Sequence, residues 1–249
     1  LLINMKVIAV YHIKGGVGKT STSVNIAYAS AAEGNRVLLV DLDPQGASSF
    51  YLSNGTLEGK SRKAIFGDQS IDTSIQKTNF DNLDILPSDG QYRKLDHFIS
   101  KMKNSDKWLR KLFSPVKQDY DFVFIDCPPG ISAVSENLFE HADAILVPVV
   151  PTILSVRTYE QLKDFFKKHK LEKKKLFPFF SMYERRKNMH NESMVQFQKD
   201  HPECIAVAIP YNSEIEKMGE YKAPIVHKYP YAEASEMYRK LWKKLKWKI

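Results

Sequence analysis

The 249-residue chain reads as an α/β protein: a mostly parallel, twisted sheet with helices on both faces, in a single domain over residues 1–249. Three observations predict this. Runs of Val, Ile, Leu and Phe recur without the in–out alternation of a half-exposed strand, the pattern of strands buried on both sides. Stretches with apolar residues at helical spacing separate those runs, and strand alternating with helix implies a parallel sheet. No repeat or long linker interrupts the alternation.

The elements follow in order. KVIAVYHI (6–13) is a strand, and the spacing predicts a helix over 19–33. RVLLVDLD (36–43) is the second strand. Residues 44–82 are rich in Gly, Ser, Asn and Asp, which predicts loops and short helices over the sheet edge. LDILPSD (83–89) leads to a helix over 90–114, YDFVFIDC (120–127) to one over 133–141, and AILVPVV (144–150) to one over 155–170. LFPFFSM (176–182) is the sixth strand, followed by helices over 190–200 and 232–246.

Composition narrows the function classes. With 43% hydrophobic and 12% aromatic residues the chain can bury a substantial core, which excludes a disordered protein. No apolar run approaches the roughly 18 residues of a membrane-spanning helix. The opening LLINMKVIAV lacks a signal-peptide pattern, and Met5 is read as the natural start with Leu1–Asn4 as an upstream extension. Cys127 and Cys204 form no C-x-x-C pair, which fits a reducing compartment and a cytoplasmic protein. The net charge is +8, unevenly spread. Residues 1–160 hold 17 Lys and Arg against 18 Asp and Glu, whereas 161–249 hold 20 against 11. That asymmetry fits either a polyanionic partner or a lysine-rich solvated surface.

The chemistry is concentrated in HIKGGVGKTS (12–21). It matches the phosphate-binding pattern G-x-x-x-x-G-K-S/T at Gly18, Lys19 and Thr20, but carries Ile13 where the first Gly belongs and an additional lysine, Lys14. A strand leads in and a helix leads out, as a P-loop NTPase fold requires. Backbone N–H groups of Gly15, Gly16, Val17, Gly18 and Ser21 can curl around an anion at the helix N-terminus. Lys19 would reach the β- and γ-phosphates, and the Thr20 hydroxyl would bind Mg²⁺. Two further strands end in acids, VLLVDLDPQG with Asp41 and Asp43 and FVFIDCPPG with Asp126. Ligands of open α/β sheets sit at strand carboxyl ends, so these acids can converge on the loop. Asp126 suits a water-mediated hold on Mg²⁺, Asp43 the positioning of attacking water, and Asp41 support behind the metal; each alone could equally be a strand-end cap.

KGGVGKTS, VLLVDLDPQG, DFVFIDCPPG, ILVPVVPTILSVRTYEQL, SMYERRKNMH and IPYN occur in the order seen in ParA-type partition ATPases of the ParA/MinD superfamily, which nearly the whole chain resembles. The resemblance explains the additional lysine. The first Gly is dispensable in that deviant loop, and Lys14 would cross a dimer interface to the partner's nucleotide, neutralising charge as an arginine finger does. It further implies an ATPase using ATP and Mg²⁺, a homodimer when ATP is bound, and adenine contacts from Met182, Pro210 and Asn212. Its other implications are non-specific DNA as a partner, a ParB-like or other adaptor that stimulates hydrolysis, and a cytoplasmic, nucleoid-associated location.

Within the superfamily, iron–sulfur carriers and the nitrogenase iron protein need paired cysteines that this chain lacks. A membrane-cycling, MinD-like regulator is the alternative. MYRKLWKKLKWKI ends the chain with Tyr238, Leu241, Trp242, Leu245 and Ile249 at helical spacing among lysines. Such a helix could dock on the core, show lysines to DNA, or lie on an anionic membrane. Lysines between 163 and 175, with Arg185, Arg186 and Lys187, favour DNA. Where many chromosomal relatives continue with basic residues after IPR, this chain has Tyr211 and Glu214, so a DNA surface here must use other residues.

Overall fold

The structure is a computed structural model that describes residues 5–53 and 61–249. The Leu1–Asn4 extension and the middle of the 44–82 segment lie outside those residues. Eight strands form one sheet: β1 (Lys6–Val10), β2 (Val37–Asp41), β3 (Gln76–Lys77), β4 (Leu83–Leu86), β5 (Phe122–Asp126), β6 (Ala144–Val149), β7 (Leu176–Tyr183) and β8 (Ala208–Pro210). Their order is β3-β4-β2-β5-β1-β6-β7-β8, and only the β3–β4 pair is antiparallel.

The expected strands are present, and the reason for their continuous apolar runs is visible along β1. Val7, Ala9 and Tyr11 enter one core while Ile8 and Val10 enter the other. The first core lies under helices Leu95–Lys101, Trp108–Phe113, Ala133–His141, Ile153–Lys168 and Asn188–Asp200. The second lies under helix Lys19–Ala32, here the loop helix, and the terminal helix Glu233–Lys246. The central strands are thus covered twice, as a parallel sheet requires.

Three expectations are corrected. The helix expected over 90–114 is broken into a 3₁₀ turn (Gly90–Lys94), two short helices and further single turns. Met102 leaves the first helix in extended backbone, and Asn104, Ser105 and Asp106 follow it. Their short polar side chains compete with helical backbone bonding, so the apolar spacing on either side belongs to two helices. Strands β3 and β8 were not expected: they have two and three residues, too few to show a period. Between Tyr211 and the terminal helix the chain also makes three four-residue helices.

The terminal helix docks. Tyr238, Leu241, Trp242 and Leu245 are each 1% exposed or less. Trp242 sets its ring edge-on to Phe122, with centroids 4.8 Å apart, and donates from Nε1 to Glu33 Oε2. Its apolar stripe is therefore part of the second core. Among the described residues no helix is long and apolar enough to cross a membrane.

Candidate nucleotide site

Strand β1 sits where the sheet order reverses, between β5 and β6, and the site forms beyond its carboxyl end. The loop leaving β1 is tied at its start. Tyr11 donates its hydroxyl to the Gly130 carbonyl at 2.9 Å, and Gly130 N–H donates to the Ile13 carbonyl at 2.9 Å. These bonds fasten the Pro128-Pro129-Gly130 turn after β5 to the loop. His12 is buried, and its Nδ1 accepts from Lys14 N–H at 3.0 Å. That bond fixes the backbone from which Lys14 projects. Burial, aided by the Lys19 charge, pushes the His12 imidazole down to about 4.

Gly18 ends the loop with φ at +87°, and a Cβ there would lie 2.7 Å from Ser181 Oγ. Both facts require glycine. Lys19 opens the loop helix, is 7% exposed, and donates from Nζ to the Lys14 carbonyl at 3.3 Å. Burial lowers its pKa, and the negative charges of Asp126 and Asp43 oppose that shift. A buried cation with no acid in direct contact is poised to receive an anion.

Asp41 and Asp126 end adjacent strands and are register partners. Both are fully buried, and burial pushes both carboxyls above the usual range, reinforced at Asp41 by the Asp126 charge. Their partners differ. Asp126 accepts from Ser48 Oγ at 2.6 Å and Ser23 Oγ at 3.3 Å, directly beneath the start of the loop helix. Asp41 accepts at Oδ2 from Ser49 N–H and Oγ, and at Oδ1 from Asp43 N–H. The Asp41 carboxylate is therefore occupied in anchoring the turn that carries Asp43. Asp43 itself accepts from Gln45 N–H at one carboxylate oxygen and faces the cavity beside Lys19 and Thr20.

The cavity over the loop has a volume of about 400 Å³. Gly15, Gly16, Gly18, Lys19, Thr20, Ser21 and Asp43 line it together with Met182, Pro210 and Asn212, so the expected phosphate and base residues meet in one space. Met182 holds φ at +54°, where β7 and β8 slip register between Phe180 and Tyr183. A non-glycine residue in that region marks a built feature of the wall. Asn212 uses its side-chain oxygen to cap the helix that follows, accepting from Glu214 N–H, which leaves its NH₂ for a ligand. Tyr51, Ser181, Tyr211, Glu216 and Tyr238 also line the cavity and were not among the expected nucleotide contacts, although Ser181 and Tyr211 lie within the SMYERRKNMH and IPYN motifs.

Lys14 does not line that cavity. It is exposed and borders a neighbouring space of about 300 Å³ with Val17, Thr152, Glu184 and Lys187. The two loop lysines thus face different spaces. Among the described residues no group of three or more His, Cys, Asp or Glu could hold a metal by itself. A cation here would depend on Thr20, on Asp126 beneath it, and on phosphate oxygens. The hydroxyl beside a buried, hydrogen-bonded carboxylate fits Mg²⁺, whose charge would favour the ionised carboxylate that burial disfavours.

A family model described as AAA domain matches residues 5–178, and the chain belongs to that family. Soj, the sporulation initiation inhibitor protein of Bacillus subtilis, is 28% identical over 248 residues, covering 96% of this chain and 98% of Soj. The chromosome partitioning protein ParA of Caulobacter vibrioides is 32% identical over 162 residues, 64% of this chain and 61% of that protein. Among solved structures, a putative plasmid partition protein of Borrelia burgdorferi bound to AMPPNP superimposes with a TM-score of 0.81 at 19% identity, covering 99% of this chain and all of that one. Cobyrinic acid a,c-diamide synthase of Mycobacterium smegmatis, with an ATP analogue and magnesium, gives 0.80 at 23%, over 97% and 94% of the two chains. The Pyrococcus furiosus cell-division ATPase MinD gives 0.78 at 22%, over 97% and 98%. The chain is an ATPase of the ParA/MinD superfamily.

Proposed function

We propose that the protein is a ParA-type ATPase that pairs face to face on ATP and Mg²⁺ and binds DNA without sequence preference. An adaptor would stimulate hydrolysis and release, so that plasmid, chromosome or protein cargo is segregated or positioned. The observation that carries this reading is the division of labour between the loop lysines. Lys19 is buried and lines the cavity over the loop, while Lys14 stands exposed over its neighbour. A lysine that serves its own nucleotide would face the first space. One that serves a partner's must stand clear of it.

In this scheme Lys19 and the loop N–H groups bind the β- and γ-phosphates, and Met182, Pro210 and Asn212 bound the base. Asp43 orients the attacking water and accepts its proton, while Lys14 of a second copy neutralises charge on the transferring phosphoryl group. When bound, Mg²⁺ draws charge from the phosphate oxygens; Thr20 and, through water, Asp126 would hold it. Against the MinD-like alternative, Tyr238, Leu241, Trp242 and Leu245 of the terminal helix are buried in the core, although Trp247 beside them is exposed.

Two variants test the reading. Lys19→Ala should abolish ATP binding by calorimetry. Lys14→Ala should keep ATP affinity within a few-fold yet lose the ATP-dependent dimer in sedimentation and the turnover that depends on it. An unchanged dimer with parental turnover would refute the role of Lys14 in trans.

A further inference from the structure

The basic residues of the last third come from two segments in opposite helical layers, yet chain direction brings them to one end of the molecule. Helix Ile153–Lys168 starts after β6 and runs back along the sheet. The segment that follows it, 169–175, leads straight into Leu176 at the amino end of β7. Lys175 fixes this position by donating to the Glu140 carbonyl near the end of helix Ala133–His141. On the other face, the terminal helix also finishes at the amino end. Its Lys246 bonds Glu33, at the exit of the loop helix, and its Lys244 donates to the Ala206 carbonyl just before β8.

Several acids at this pole are engaged, while among the described residues Asp81, Asp119 and Glu140 are exposed with no Lys or Arg within ion-pair distance. Glu172 pairs with Lys174, Glu33 with Lys246, Asp143 with Lys6, and Asp121 with Arg36. Among the described residues Lys167, Lys168, Lys170, Lys173, Lys243 and Lys248 are exposed and have no acidic partner within ion-pair distance. Lys170 holds φ at +57° at the end of its helix, where Leu171 N–H bonds back to the Phe166 carbonyl. Glycine is the residue that suits such a left-handed cap, so the chain carries a charge there at a conformational cost.

From this juxtaposition we infer that the amino end of the sheet, opposite the nucleotide site, is one continuous phosphate-binding surface for duplex DNA, built jointly by residues 167–175 and 243–248. The inference rests on the DNA-binding reading above and gives it a place. Scattered lysines without base-reading geometry neutralise phosphates and specify no sequence. A lipid bilayer is the poorer fit, since the stripe of Tyr238, Leu241, Trp242 and Leu245 is buried and leaves Trp247 as the exposed aromatic at the end of the terminal helix.

The test is binding of the full chain, with ATP and Mg²⁺, to a labelled duplex of arbitrary sequence across a salt series. Lys168→Glu with Lys173→Glu removes charge from one layer, and Lys243→Glu with Lys248→Glu from the other. Each pair should weaken binding and flatten the slope of log affinity against log salt, by about 0.9 for each phosphate no longer neutralised. The four changes together should flatten it most, while ATP affinity and melting temperature stay at parental values. Arg185→Glu with Arg186→Glu probes the rival cluster beyond the carboxyl end of β7. If that pair flattens the slope and the pole variants do not, the placement is wrong although DNA binding stands. If the parent retains no duplex at low salt with ATP, or is retained only by phosphatidylserine vesicles, the underlying DNA reading fails with it.

Discussion

The two ends of the sheet handle charge in opposite ways. At the carboxyl end Lys19, Asp41 and Asp126 are buried, each hydrogen-bonded to named partners, and their protonation is set by burial and by one another. At the amino end the lysines are exposed, and several stand without an acid. The first arrangement depends on geometry: displacing one group leaves another buried charge unmatched. The second depends on number, because exposed charges act additively through a screened field. Single substitutions should therefore be severe at one end and graded at the other.

The sharpest break concerns Asp43. It faces the cavity, and among the described residues the only hydrogen bond to its carboxylate comes from the exposed Gln45 N–H, so its removal should spare the fold and nucleotide affinity. Asp43→Ala should lower hydrolysis by about 1,000-fold, about 4 kcal/mol of barrier, the scale of a lost general base, while preserving ATP binding. Single-turnover hydrolysis beside calorimetric ATP binding measures both. Parental hydrolysis would remove Asp43 from the mechanism.

The next sharpens the contrast through pH. His12 holds the Lys14 backbone only while Nδ1 is unprotonated. Its folded pKa, about 4, lies below the ordinary 6.5, so the unfolded chain binds the proton first. Stability contributed by neutral His12 is complete above pH 6.5 and is lost as pH falls toward 4, by at most about 3 kcal/mol. The raised carboxyls of Asp41 and Asp126 push stability the other way in both proteins, so across that window the parent's urea midpoint should drop relative to that of His12→Asn. Equal slopes in the two proteins would show that His12 does not titrate against the fold.

The smallest effect belongs to the basic end. Lys170→Gly relieves a left-handed lysine and should raise stability by about 1 kcal/mol in urea unfolding, while removing one phosphate-binding charge. A destabilised variant would mean that the Lys170 side chain packs as well as charges.

The sequence made the sheet and the loop legible for the same reason: both are written in contiguous residues. Continuous apolar runs marked the doubly covered strands, and Gly-Lys-Thr between strand and helix marked the phosphate end of the cavity. What it concealed was assembled from distant segments. Ser48 and Ser23 hold Asp126 from different helices, and Tyr51 and Tyr238 reach the cavity wall from segments with no nucleotide motif. The role of Asp41 was hidden too, since only the fold shows its oxygens occupied by Ser49 and Asp43. The break at Met102–Asp106 was readable in principle, because three short polar residues in sequence are a poor helix interior.

Strand β7 has eight residues, about 26 Å at 3.3 Å each, and it runs from the lysine-bearing segment to the cavity wall at Met182. That length is a ruler. Two copies joined through their Lys14 faces would carry their lysine ends outward, more than about 50 Å apart on the same spacing. Such a dimer would be a crosslink with a fixed arm, and its grip would grow with the local density of DNA strands, as for any bivalent tether.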